Sequence, residues 1–179
     1  ALRAIGQGFK VCMIQFLKGG GYTGEVVAAN NLLSGLDIFQ FGKECIKEQR
    51  QLKLTGFGKG NASMVRSVES CGSCRYCFTI DEAERLHAQR GFNFAKEASS
   101  SGEYDIVILD EICGAINEEL VELEDVLELI KNKHKHTELV LTGRDAPKEL
   151  EEVSNYVSHV RKMKHPFDKG LGARRGVEY

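Results

Sequence analysis

Tyr104-Asp105-Ile106-Val107-Ile108-Leu109-Asp110-Glu111 is a short apolar run that ends abruptly in two carboxylates. Four uninterrupted apolar residues suit a strand covered on both faces, the kind found in parallel sheets. Three other stretches read as strands, two of them largely apolar and one short. They are residues 10–17 (Lys-Val-Cys-Met-Ile-Gln-Phe-Leu), residues 36–41 (Leu-Asp-Ile-Phe-Gln-Phe) and residues 138–142 (Glu-Leu-Val-Leu-Thr). Helical patterns separate them, at 26–33, at 79 to about 99, at 117–133 and in a short piece after Asp145. Strands alternating with helices predict an α/β fold, a mostly parallel sheet with helices on both faces. A last strand is expected at 156–163, followed by a polar tail punctuated by glycines.

Local signals sharpen the boundaries. Thr79-Ile80-Asp81-Glu82 fits a capping box, with Thr79 as N-cap and Glu82 reaching back. Leu120, Leu123, Leu127 and Ile130 form one apolar stripe over 117–133, with acids at its start and lysines at its end. Asp145 is the expected cap of the next helix, with Pro147 in its first turn. Residues 1–8 read as the last turns of a helix closed by Gly6 and Gly8, whose beginning is expected upstream of Ala1. No repeat or linker divides residues 1–179, which are expected to form a single nucleotide-binding domain. Residues 43–77 are poorly periodic and read as an insertion within it.

Composition narrows the function classes. The chain has 179 residues, 42% hydrophobic and 28% charged, with a net charge of −2. That balance gives no bulk reason to expect nucleic acid or an anionic membrane as partner. The apolar runs are strand-sized, well short of the ~20 residues that span a bilayer. Nothing in residues 1–8 resembles a signal peptide, so a cytoplasmic location is expected.

In open α/β sheets, ligands bind outside the carboxyl ends of the strands. Three such ends here carry polar groups: Gln15 and Lys18, then Asp110 and Glu111, then Arg144. An apolar strand presenting a carboxylate is the Walker B arrangement, which serves Mg²⁺ on nucleotide phosphates. Carboxylates that merely cap a helix are the plain alternative. Arg144 offers a forked donor suited to phosphate, or a solvent-facing charge. The phosphate-cradling Gly-x-x-x-x-Gly-Lys-Ser/Thr loop does not occur in these residues, and its place would be upstream of Ala1.

Several motifs in order carry a family resemblance. They are residues 1–8, Gln15-Phe16-Leu17-Lys18-Gly19-Gly20, Thr23-Gly24-Glu25, Val107-Ile108-Leu109-Asp110-Glu111 and Leu141-Thr142-Gly143-Arg144-Asp145-Ala146-Pro147. The ending Lys164-His165-Pro166-Phe167-Asp168-Lys169-Gly170, with Ala173-Arg174 and Gly176-Val177-Glu178-Tyr179, is the most distinctive. Together they resemble the P-loop type of ATP:corrinoid (cobalamin) adenosyltransferases, which are similar in fold to RecA-like P-loop proteins. The resemblance implies transfer of the 5′-deoxyadenosyl group of ATP to the Co(I) of a reduced corrinoid, with release of tripolyphosphate. It further implies that Glu111, with Asp110 beside it, holds Mg²⁺, that Arg144 and Arg3 face the phosphates, and that Gln15 and Lys18 line the site. An electron donor for cobalt and a homodimer are implied as partners. Aromatic packing on the corrinoid is implied after residues 36–41, where Phe57 or Phe78 would supply the ring.

The inserted segment also holds Cys71-Gly72-Ser73-Cys74-Arg75-Tyr76-Cys77. These three thiols, with Cys45 as a fourth, suit zinc or an iron–sulfur cluster; free or redox-active thiols are the alternative. Cys12 and Cys113 lie in or beside apolar segments and read as small buried hydrophobes. Two other function classes compete with the transferase. One is a different P-loop enzyme, such as a thymidine-kinase-like protein with a zinc-binding insert. The other is a non-catalytic module that holds corrinoid or metal.

Overall fold

The structure, a computed structural model, describes residues 1–19, 23–44, 79–172, 174 and 176–177. A one-turn helix α1 (Leu2–Ile5) leads into β1 (Val11–Phe16), α2 (Gly24–Leu32) and β2 (Leu36–Phe41). Then come α3 (Glu82–Ser100), β3 (Ile106–Asp110), α4 (Ile112–Asn117), α5 (Leu123–Asn132), β4 (Glu138–Leu141) and α6 (Lys148–Val153). A 3₁₀ turn at Pro166–Lys169 lies in the tail.

The four strands form one sheet in the order β2-β1-β3-β4, and every pairing is parallel. The two-residue alternation of each strand assigns its side chains to two cores. Cys12, Ile14 and Phe16 join Val107 and Leu109 under α3, α4 and α5 on one face. Val11, Met13, Ile106 and Ile108 meet Ala4 and Ile5 of α1 and Ala29 of α2 on the other. Helices therefore cover both faces, and the central strands are apolar up to Gln15 and Asp110 near their carboxyl ends. Fully buried Phe16, Ile14, Leu109 and Ile112 each contribute roughly 1.5–3 kcal/mol by leaving water. Cys12 and Cys113 are free, buried thiols, and burial pushes Cys12 up to about 12.

Four local expectations need correction. The N-cap of α3 is Asp81, whose carboxylate accepts from the backbone N–H of Glu84, and Thr79 lies outside the cap. Residues 117–133 are not one helix: the chain turns between α4 and α5, with Glu119 at φ 53°. Leu120 is buried all the same, because its N–H returns to the Ala115 carbonyl and tucks the side chain under α4. That turn puts a core leucine on helical spacing without a helix. Pro147, not Asp145, occupies the N-cap position of α6; Asp145 takes φ 51° in the preceding loop. Residues 156–163 form no strand, and Tyr156, Val160 and Met163 are 94%, 98% and 83% exposed. A segment becomes a strand only where a neighbouring edge supplies hydrogen bonds, and no described strand runs beside this one.

Candidate functional site

Parallel register brings the polar groups together. Gln15, near the carboxyl end of β1, stands opposite Gln40 of β2 on one side and Asp110 of β3 on the other. The three side chains form a row across the sheet. Gln40 Nε2 donates to Gln15 Oε1 at 2.9 Å, and Gln15 Nε2 donates to Asp110 Oδ2 at 3.0 Å. The same Gln15 Nε2 also lies 3.2 Å from Glu25 Oε1, in the first turn of α2. Gln15 is almost wholly buried, so these bonds replace all of its water.

Asp110 is the hub. Lys18 Nζ reaches its Oδ2 at 2.8 Å, and the Thr142 hydroxyl donates to its Oδ1 at 2.8 Å. Burial pushes this carboxyl up, but hydrogen bonds from Lys18, Thr142 and Gln15, with the charge of Lys18, outweigh it. The net result is a carboxyl held below its ordinary range. Lys18 arrives here because Leu17 takes φ 59° as β1 ends, turning the chain back across the sheet edge.

Glu111 follows at φ 63° and ψ 21°, the left-handed region, and its N–H donates to the Thr142 hydroxyl at 3.0 Å. Thr142 thus bridges the two acids, accepting from one backbone and donating to the other side chain. Both Asp110 oxygens are engaged, whereas the Glu111 carboxylate accepts no hydrogen bond among the described residues. Arg144 lies just beyond β4 at the same edge, its backbone carbonyl held by Asn117 Nδ2 at 3.2 Å and its side chain exposed.

Of the residues singled out in the sequence, Gln15, Lys18 and Asp110 are in direct contact, and Glu111 and Arg144 border them. Arg3 sits on α1, whose Ala4 carbonyl binds Phe9 N–H just before β1 begins, so it lies toward the amino end of the sheet. The structure does not bring it to the cluster. Cys45, Cys71, Cys74, Cys77 and Phe78 fall outside the described residues. Among those that are described, no group of three or more His, Cys, Asp or Glu is placed to hold a metal ion. Glu25, Gln40 and Thr142 are site residues that the sequence reading did not single out, although Glu25 and Thr142 stand inside quoted motifs.

A four-stranded parallel sheet flanked by helices, with Lys18, Asp110 and Glu111 at the carboxyl ends of β1 and β3, is consistent with a P-loop NTPase-like fold. A model of the family "ATP:corrinoid adenosyltransferase BtuR/CobO/CobP" matches residues 1–179. The chain is 26% identical to the corrinoid adenosyltransferase of Escherichia coli K12 over all of its own length and 76% of that protein. It is 29% identical to the one from Sinorhizobium, over 99% of this chain and 70% of that one. It is 25% identical to corrinoid adenosyltransferase CobA of Salmonella typhimurium, over 100% and 76%. The chain belongs to the ATP:corrinoid adenosyltransferase family, and is a transferase by class. No described helix is long and apolar enough to cross a membrane.

Proposed function

We propose that the cluster at the carboxyl ends of β1, β3 and β4 carries out the family's adenosyl transfer. In that reaction the Co(I) corrinoid supplies an electron pair to C5′ of ATP. The Co–C bond forms, the C5′–O5′ bond breaks, and tripolyphosphate leaves with the bonding pair. Co(I) needs no activating base, so the protein's work is to align C5′ and to receive the negative charge of the leaving phosphates.

The observation that carries this assignment of roles is the difference between the two acids. Asp110 is occupied on both oxygens and acts as an organiser, fixing Lys18, Gln15 and Thr142. Glu111 is oriented through its backbone and keeps its carboxylate unengaged, a hard oxygen donor that fits Mg²⁺. When bound, Mg²⁺ would neutralise charge on the triphosphate. Lys18 and Arg144 present cations to the same region. Gln15 bridges Glu25 and Asp110 by donating to both.

The remaining assignments rest on sequence alone. Cys45, Cys71, Cys74 and Cys77 are proposed soft-metal ligands, for zinc or an iron–sulfur cluster, within an insertion at 43–77 of a single domain. Phe57 or Phe78 is proposed to pack on the corrinoid. A homodimer, a cytoplasmic location and an external electron donor for cobalt are proposed on the family's example.

The test is an anaerobic assay of the full-length protein with ATP, Mg²⁺ and chemically reduced cobalamin. Light-sensitive adenosylcobalamin appearing with tripolyphosphate is the expected result. ATP binding without product would remove the reading.

A further inference from the structure

We propose that Glu84, on the first turn of α3, is a positioning residue that sets the height of Lys18 over Asp110 by holding the loop that leaves β2. The inference rests on the role just given to Lys18.

Glu84 is 1% exposed, and its Oε2 accepts from the backbone N–H of Lys43 at 3.2 Å. Lys43 is itself buried at 6%, and its Nζ donates to Asp81 Oδ2 at 2.9 Å and to the Thr79 carbonyl. The first turn of α3 therefore grips Lys43 by both backbone and side chain. Glu84 Oε1 has no hydrogen-bond partner among the described residues. Burial raises its carboxyl above the ordinary range, against the pull of Lys43. A half-satisfied buried acid costs stability, and a Leu or Met would fill the space at lower cost. Its presence there calls for a reason beyond packing.

The geometry on the far side of Lys43 supplies one. The backbones of 18–19 and 42–43 touch directly. A Cβ at Gly19 would lie 2.2 Å from the Lys43 carbonyl oxygen and 2.4 Å from that of Gly42. A Cβ at Gly42 would lie 2.5 Å from Lys18 N. Two glycines at one crossing leave no side chain to absorb a shift, so a displacement of Lys43 passes to Lys18. Lys18 Nζ in turn stands 2.8 Å from Asp110. The path from Glu84 to the cluster is thus one hydrogen bond, one backbone contact and one ion pair.

The experiment combines amine acylation footprinting of Lys18 with steady-state kinetics on the full-length protein. Lys131 and Lys148, on α5 and α6, serve as internal references. E84A should speed Lys18 acylation severalfold relative to the references. It should raise KM for ATP by about tenfold with little change in kcat, roughly the loss of one well-placed charged contact. E84Q keeps an acceptor oxygen for Lys43 N–H and should restore both values, while E84D, one methylene short, should not. An E84A protein that melts normally with an unaltered Lys18 rate and KM overturns the proposal. If E84A does not fold, equal Lys18 rates in E84Q and E84D overturn it instead. Wild-type protein lacking adenosyl transfer would remove the functional reading, and the Lys18 footprint would still decide the mechanical link.

Discussion

The two ends of the sheet are built from the same four strands to opposite purposes. At the amino end, Tyr104 donates its hydroxyl to Asp37 at 3.2 Å, and Lys10 Nζ lies 4.6 Å from the centre of the Tyr104 ring. Thr137, almost fully buried, donates to the Tyr104 carbonyl at 2.8 Å, and Asp105 accepts from Lys10 N–H. Each group is paired with a near neighbour. At the carboxyl end, Leu17, Glu111 and Asp145 all take positive φ beyond the ends of β1, β3 and β4. Each such residue costs roughly 1–2 kcal/mol. Glu111 also keeps an unengaged carboxylate. One end spends its residues on holding the sheet together, and the other accepts strain to hold charges ready for a ligand.

The sharpest way to break this contrast is to alter one polar residue at each end. E111A should lower kcat by about 10²–10³-fold, the scale on which a transition-state charge contact operates. Unfolding free energy should stay within about 0.5 kcal/mol of wild type, because neither residue is at ease in the left-handed region and no side-chain bond is lost. Turnover near the wild-type rate would take Glu111 out of the reaction. R144A comes next. Its side chain is exposed and makes no hydrogen bond or ion pair with a described residue, so the substitution should raise KM for ATP by about tenfold and leave the melting temperature alone. Y104F is the counterpart at the amino end. It should lose about 1 kcal/mol of stability in urea unfolding while kcat and KM stay unchanged. A Y104F enzyme with impaired turnover would show that the ends are not separate.

How much of this was legible in the sequence follows the same division. The central strands declared themselves because a parallel sheet covered on both faces demands largely apolar runs, and residues 36–41, interrupted by Asp37 and Gln40, were still delimited as observed. Asp110, Glu111, Gln15 and Lys18 were legible for the same reason: each interrupts or ends such a run. Gln40 was not, because it matters only through its register opposite Gln15, a relation between strands distant in sequence. Glu84 was hidden in a helix with several other acids, and nothing in the spacing marks it as the buried one. The mistaken strand at 156–163 shows the limit from the other side. Its apolar residues, at 156, 157, 160 and 163, follow no two-residue alternation, and a strand is a property of a pair.

The smallest expected effect tests whether the carboxyl-end cluster is electrostatically what its geometry suggests. Asp110 has a depressed carboxyl in the folded protein because Lys18, Thr142 and Gln15 overcome its burial. A depressed folded value adds stability that is fully present above the unfolded value of about 3.9 and lost as pH falls through the folded one. The window therefore lies below about pH 4. In K18M the ion pair and one hydrogen bond disappear while the burial remains, so the balance tips toward a raised value. The contribution then changes sign: stability should fall as pH rises from about 4 toward that value. Unfolding free energies measured by urea titration between about pH 3 and 6 should diverge between wild type and K18M as pH increases, by an amount on the order of 1 kcal/mol. Other acids, Asp81 among them, titrate in both proteins and cancel in the difference. A constant offset across that range would mean that Lys18 and Asp110 are not coupled in solution.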